Sequence, residues 1–353
     1  LTKKKWLLLL LSLTMVISVL AACGSSEDTG GTGSDGDASQ GEESGNGDAM
    51  VLRISLGINN HHPLYESALH FKELLEEKTD DFVVEVYHSA QIGDDRVATE
   101  MLQMGDLAIT IPSTSPLVNF VPEYGVFDLP FMIPSEEVAD AVLDGPFGDK
   151  MLALLEEQDL IGLAWYENGF RNLTNSVRPV EKVEDLKGLV IRTMENQIHL
   201  DAWSELGANP TPMSFAELFT AMQQGTVDGQ ENPYPTIELE GYPEVQDYIS
   251  DTNHVYTPFV FLFSKPIWDT LSPEQQELIR ETALEARLFN RERTREVAEQ
   301  SKEKLKELMT FTEISDEERA RFREAVMPVI DKHADNISRD IVEEFMAEIE
   351  KHS

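Results

Sequence analysis

Asp185-Leu186-Lys187-Gly188-Leu189-Val190-Ile191-Arg192 reads as a turn, then an apolar strand that ends in a guanidinium. Alternate side chains of a strand point to opposite faces, so Arg192 shares a face with Val190. Both faces of so apolar a strand are expected to be covered. A guanidinium there must be paired or aimed into a cavity, because burying it alone is too costly. Arg171 stands in a similar place, after Gly169-Phe170 and just beyond the strand expected over Leu160–Tyr166. Ligands of open α/β sheets bind outside the carboxyl ends of strands. Two arginines at such ends either pair with local acids or converge on an anion. An arginine fork suits a carboxylate, since it makes two parallel charge-assisted bonds. Asn232, before Pro233, either completes that polar frame or only shapes a turn.

Outward from this strand, helices and strands alternate. Val51–Ile58, Phe82–Tyr87, Ala108–Ile111 and Leu160–Tyr166 read as strands. Leu64, Ala68, Phe71 and Leu75 fall at helical spacing between the first two, and helices are expected over 97–104, 136–144 and 147–157. Further on, Gln197–Leu206 reads as a helix, and Ser214 with Glu217 forms a capping box for a helix that stops at Gly225. Val255–Phe263 reads as a strand crossing back. Ser272-Pro273 with Gln275 starts a long charged helix reaching Met309, and Ser315 with Glu318 caps another before a last one over 337–351. The succession predicts an α/β protein with a largely parallel sheet. Two such segments joined by at least two crossings predict two lobes around a cleft.

The chain has 353 residues, 41% of them hydrophobic, enough for a substantial core. Its 65 acidic and 28 basic side chains give a formal charge of −37. That excludes a duplex-DNA binder, which must neutralise phosphates with Lys and Arg. Residues 1–22 have the order of a secretory signal: Lys3-Lys4-Lys5, an apolar run, then Leu20-Ala21-Ala22 before Cys23. Residues 24–50 are mostly Gly, Ser, Asp and Glu, with seven acids and no base, the composition of a flexible acidic tether. About −33 of the charge therefore belongs to residues 51–353.

A single cysteine excludes an internal disulfide and a Cys-rich zinc site. There is no nucleophile elbow, no Walker loop and no Gly-x-Gly-x-x-Gly after a strand. His61, His62 and Glu66 lack a recognised metal spacing, and Pro63 points to a loop or helix cap there. His199 and Asp201 read as a solvated helix face. No catalytic constellation, metal or cofactor is expected.

Several runs together carry a resemblance. They are Gln91-Ile92-Gly93-Asp94-Asp95-Arg96, Phe127-Asp128-Leu129-Pro130-Phe131, Gly169-Phe170-Arg171-Asn172-Leu173-Thr174-Asn175 and the Asp185–Arg192 segment. Leu206-Gly207-Ala208-Asn209-Pro210-Thr211-Pro212-Met213, Gln224–Pro233 and Thr252-Asn253-His254 continue it. Over nearly all of residues 51–350 the chain resembles the solute-binding proteins of TRAP (tripartite ATP-independent periplasmic) transporters, in their dicarboxylate-binding, DctP-type branch. Leu20–Cys23 resembles a bacterial lipoprotein signal, with Cys23 the acylated residue.

The resemblance implies a two-lobed, periplasmic-binding-protein-like flytrap that closes on a small carboxylate. Lobe I would comprise residues 51–168 and about 258–296, lobe II about 169–257 and 297–353. Arg192 would be the chief anchor, Arg171 would assist and Asn232 would hydrogen-bond the ligand. Asn59, Ser113, Glu195 and Phe215 match lining positions more loosely. Arg192-Thr193-Met194-Glu195-Asn196 departs from the family's commoner form, which leaves the ligand's far end open among C4-dicarboxylates, sugar acids and 2-oxo acids. The protein would be an extracytoplasmic, lipid-anchored monomer, and no enzyme. It would deliver its ligand to the small and large membrane permease subunits. The alternatives are a subunit presenting ligand to a sensory receptor and an extracellular hydrolase or lyase.

Overall fold

The structure, a computed structural model, describes residues 49–353. The expected signal segment, Cys23 and the tether up to residue 48 lie outside the described residues. In chain order the elements are β1 (Met50–Ser55), α1 (Pro63–Lys78), β2 (Phe82–Tyr87), α2 (Asp95–Met104), β3 (Ile109–Thr110), α3 (Thr114–Leu117), α4 (Glu136–Leu143) and α5 (Pro146–Leu154). Next come β4 (Leu160–Phe170), β5 (Asn172–Asn175), β6 (Val190–Thr193), α6 (Gln197–Glu205), β7 (Asn209–Pro212), α7 (Phe215–Gln223), β8 (Gly229–Asn232) and α8 (Tyr234–Leu239). The chain ends with β9 (Tyr248–Asp251), β10 (Tyr256–Ser264), α9 (Lys265–Trp268), α10 (Pro273–Leu308), β11 (Thr310–Glu313), α11 (Asp316–Ile337) and α12 (Arg339–His352).

Two sheets organise these elements. The first has the order β2-β1-β3-β10-β4 and the second β11-β9-β5-β8-β6-β7. Both are mixed rather than largely parallel: β10 runs antiparallel to β3 and β4, and β5 runs antiparallel to β8 and β9. The antiparallel pairs arise where the chain passes between sheets. β4 runs directly into β5 with only Arg171 between them, and β9 returns to β10 four residues on. The Arg171 N–H donates to Val255 C=O at 2.9 Å and ties the two crossings together. Gly169 allows the bend, at a φ of 115° that a side chain would strain. Opposite it, β10 carries a bulge between Thr257 and Pro258, where proline has no N–H for the ladder.

All nine residues of β10 are buried, and Phe261 and Phe263 sit in the core between β1, β4, α1 and α10. Burying each such ring contributes about 1.5–3 kcal/mol. α10 is the long helix expected from the sequence, capped by Ser272 and Gln275 as the capping box requires. It buries Ile279, Ala283 and Ala286 in the first sheet's core and Leu305 in a second core under α7 and α8, so one rigid rod braces both sheets. Residues 297–353 read from sequence as wholly part of the second lobe, but α12 packs against α4 and α5. Its Phe345 meets Phe127 and Phe147 there, with ring centroids 5.9 and 5.3 Å away. The Ser214 capping box differs too: the serine hydroxyl donates to Glu217 Oε2 at 3.2 Å and caps no backbone N–H.

Candidate binding site

Both faces of β6 are covered, as expected: Ile191, Arg192 and Thr193 are all buried. The Arg192 Nε and Nη2 donate to Met213 C=O at 2.9 and 2.7 Å. Its Nη1 is buried with no partner. A buried charged donor left unpaired costs several kcal/mol, so a ligand atom is the natural acceptor. Burial pushes the Arg192 guanidinium down to about 10, which still leaves it charged at neutral pH.

Arg171, at the junction of β4 and β5, is spent differently. Its Nε lies 2.5 Å from Glu231 Oε2, and its Nη2 donates to Glu231 Oε1, the Glu231 carbonyl and Asn232 Oδ1. Burial alone would push the Glu231 carboxyl up, but Arg171 and a hydrogen bond from His254 Nε2 at 3.0 Å hold it well below the usual range. Asn232 in turn donates from Nδ2 to Gln230 Oε1 at 2.6 Å.

These side chains meet in a cleft between the two sheets, with about 660 Å³ free of protein atoms, counting its mouth. Arg192, Arg171, Asn232, Asn168, Met213, Asp95, Arg96, Ser113 and Glu195 line it. Phe215, Phe259, Ile58 and Met194 supply apolar wall. Of the sequence-derived candidates, Arg192, Arg171, Asn232, Phe215, Ser113 and Glu195 line the cleft. Asn59 does not: its amide N–H donates to Glu240 Oε1 at 2.8 Å and its Nδ2 to Leu239 C=O at 2.7 Å, which joins the end of β1 to α8. Ser113 spends its backbone N–H on Asp95 Oδ2 at 3.1 Å, and Glu195 has its carbonyl held by Asn119 Nδ2 at 3.0 Å. Phe215 packs on both neighbouring cores as well as lining the cleft. Arg178 lies elsewhere, donating to the carbonyls of Asp185 and Lys187.

Asn168 was not singled out from sequence. It sits at the carboxyl end of β4, buried with an unpartnered Oδ1, and strand-end position was the signal that could have found it. His62 and His199 have structural partners. His62 caps α1, its Nδ1 accepting from Leu64 N at 3.1 Å, and burial pushes its ring down to about 3. His199 is buried, not on a solvated face, with Nε2 2.8 Å from Asp128 Oδ1. Among the described residues no group of three or more His, Cys, Asp or Glu could hold a metal, and no helix is long and apolar enough to cross a membrane.

Residues 55–336 match the family of bacterial extracellular solute-binding proteins, family 7 (DctP). The chain belongs to that family. A solute-binding protein of Verminephrobacter eiseniae is 38% identical over 79% of this chain and 83% of its own length. The sugar-acid-binding protein DctPAm of Advenella mimigardefordensis, solved in complex with galactonate, is 40% identical with a TM-score of 0.85, over 87% of this chain and 99% of that one. A TRAP periplasmic solute-binding protein of a Polaromonas species, bound to D-erythronate, is 37% identical with a TM-score of 0.81, over 84% and 98%. Family 7 proteins are extracytoplasmic solute-binding components of transport and not enzymes, and this chain shares their two-sheet fold and long helix.

Proposed function

We propose that the chain captures a small hydroxylated organic acid, with Arg192 anchoring its carboxylate. The observation that carries this reading is the buried, unpartnered Arg192 Nη1 in the cleft. Asn168 and Asn232 supply amides beside it, and Arg171, held by Glu231, fixes Asn232 and adds positive charge. The galactonate and D-erythronate bound by the two similar proteins favour a sugar acid over other carboxylates.

Two lobes, divided near residues 168, 257 and 296 with α12 returning to the first, close over the ligand about the β4–β5 and β9–β10 crossings. Only a ligand touching both lobes favours closure. Arg192 and Ser113, from the two sides, meet that condition. The closed protein delivers the acid as a monomer to the small and large TRAP permease subunits. Acylated Cys23 anchors it to the outer face of the cell membrane.

A thermal-shift screen tests the reading, because a ligand of the folded state raises its melting temperature. Galactonate or erythronate should raise it, and neutral galactose should not. A shift with galactose and with no organic acid contradicts the proposal.

A further inference from the structure

We infer that the open edge of β2 is a pairing surface for a second copy of this chain, and that Lys72 and Glu76 of α1 hold it shut. None of these residues lines the cleft, so the inference stands whether or not an organic acid binds there.

β2 is the outermost strand of the first sheet, with β1 on one side and no strand on the other. Its sequence, Phe82-Val83-Val84-Glu85-Val86-Tyr87, is rich in the β-branched and aromatic residues that pair readily when an edge is left open. The carbonyls of Asp81 and Tyr87 accept from Met50 N and Leu56 N, so the odd-numbered residues turn their backbone groups to β1. Phe82, Val84 and Val86 therefore turn theirs to the open side.

α1 reaches over this edge at its midpoint. Glu76 Oε1 accepts the Val84 N–H at 2.8 Å, and Lys72 Nζ donates to the Val84 carbonyl at 2.6 Å. Lys72 Nζ also donates to Glu76 Oε1 at 2.8 Å, so the two side chains close a ring on one residue. Burial would push the Glu76 carboxyl up, but Lys72 and the Val84 N–H hold it below the usual range. The pair occupies the two backbone groups that a further strand would need.

The partner that fits is β2 of another copy, antiparallel about a two-fold axis through Val84. In that register all three outward residues pair, Val84 with its own counterpart and Phe82 with Val86. It sets Glu85 opposite Val83 and not opposite the second Glu85, so no like charges meet. With the clasp in place neither Val84 can exchange its N–H and C=O bonds, which keeps the chain a monomer.

The test is size-exclusion chromatography with light scattering over about a hundredfold range of protein concentration. About 0.15 M salt, with a Debye length of about 8 Å, screens the two acidic bodies from each other. Wild type should stay monomeric, and Lys72→Ala with Glu76→Ala should dimerise as concentration rises. On that background Val83→Lys should tighten the dimer, facing Glu85, and Val83→Glu should abolish it. Wild type also reports by itself: its Val84 amide should be protected from hydrogen exchange at least tenfold more than that of Val86. A dimeric wild type, or a folded double variant that is monomeric at every concentration, overturns the inference. So does a dimer indifferent to the charge placed at Val83, or a Val84 amide no better protected than that of Val86.

Discussion

Arg171 and Glu231 form a sealed ion pair at the point where β4 passes into β5, with Nε 2.5 Å from Oε2 and side chains 1% and 0% exposed. The pair divides the work between the two arginines. Arg171 is consumed in building the site, holding Asn232 by its Oδ1 and tying the crossings at Val255. Arg192, bound only to a backbone carbonyl, keeps one nitrogen without a partner, the atom proposed to meet the ligand.

Breaking the pair from one side should therefore be a stability lesion. Glu231→Ala strands a buried guanidinium and should cost about 3–5 kcal/mol in urea unfolding. Replacing both partners, Arg171→Met with Glu231→Leu, should cost less than Glu231→Ala alone. Near-wild-type stability for Glu231→Ala would mean that the pair does not hold the crossing.

A second expectation concerns pH. Burial pushes the Glu240 carboxyl up to about 7 while its Oε1 receives the Asn59 N–H. The folded state thus holds this proton more tightly than the unfolded chain. The stability that comes from it is full below the ordinary carboxylate range and fades as pH rises through about 7. Glu240→Gln keeps the acceptor and cannot ionise. It should melt with the wild type near pH 4 and be the more stable of the two at pH 8, by at most about 3 kcal/mol. Parallel melting curves at both pH values would remove Glu240 from the account.

The frame of this protein was legible in sequence, and its connecting strands were not. β1, β2, β6 and β10 announced themselves by apolar residues, and α10 by a serine-proline start with Gln275. β5 and β8, Asn-Leu-Thr-Asn and Gly-Gln-Glu-Asn, are buried throughout yet mostly polar, so no apolar alternation marks them. Some of their polar side chains bond across the sheet and to a neighbouring loop: Gln230 Nε2 donates to Thr174 Oγ1 at 2.9 Å, and Thr174 Oγ1 to Gln246 Oε1 at 3.0 Å. The same blindness explains the site. Arg192 was visible because it interrupts an apolar strand. The partner of Arg171 was invisible because Glu231 is distant in sequence.

Charge gives a third expectation. Residues 51–353 carry about −33, a field that repels an anion at long range. The Debye length falls from about 30 Å at 0.01 M salt to about 8 Å at 0.15 M, while contacts inside the cleft are little screened. Stopped-flow association of an organic acid should therefore speed up across that interval. A steep slowing would show that local positive potential, not the body's charge, governs approach.

The most direct measurement is titration calorimetry of Arg192→Ala with the acid that most stabilises the wild type. Losing the buried charge-assisted contact should weaken binding 100-fold or more, about 3 kcal/mol. Affinity within twofold of the wild type, in a variant that still folds, would contradict the claim that Arg192 holds the ligand.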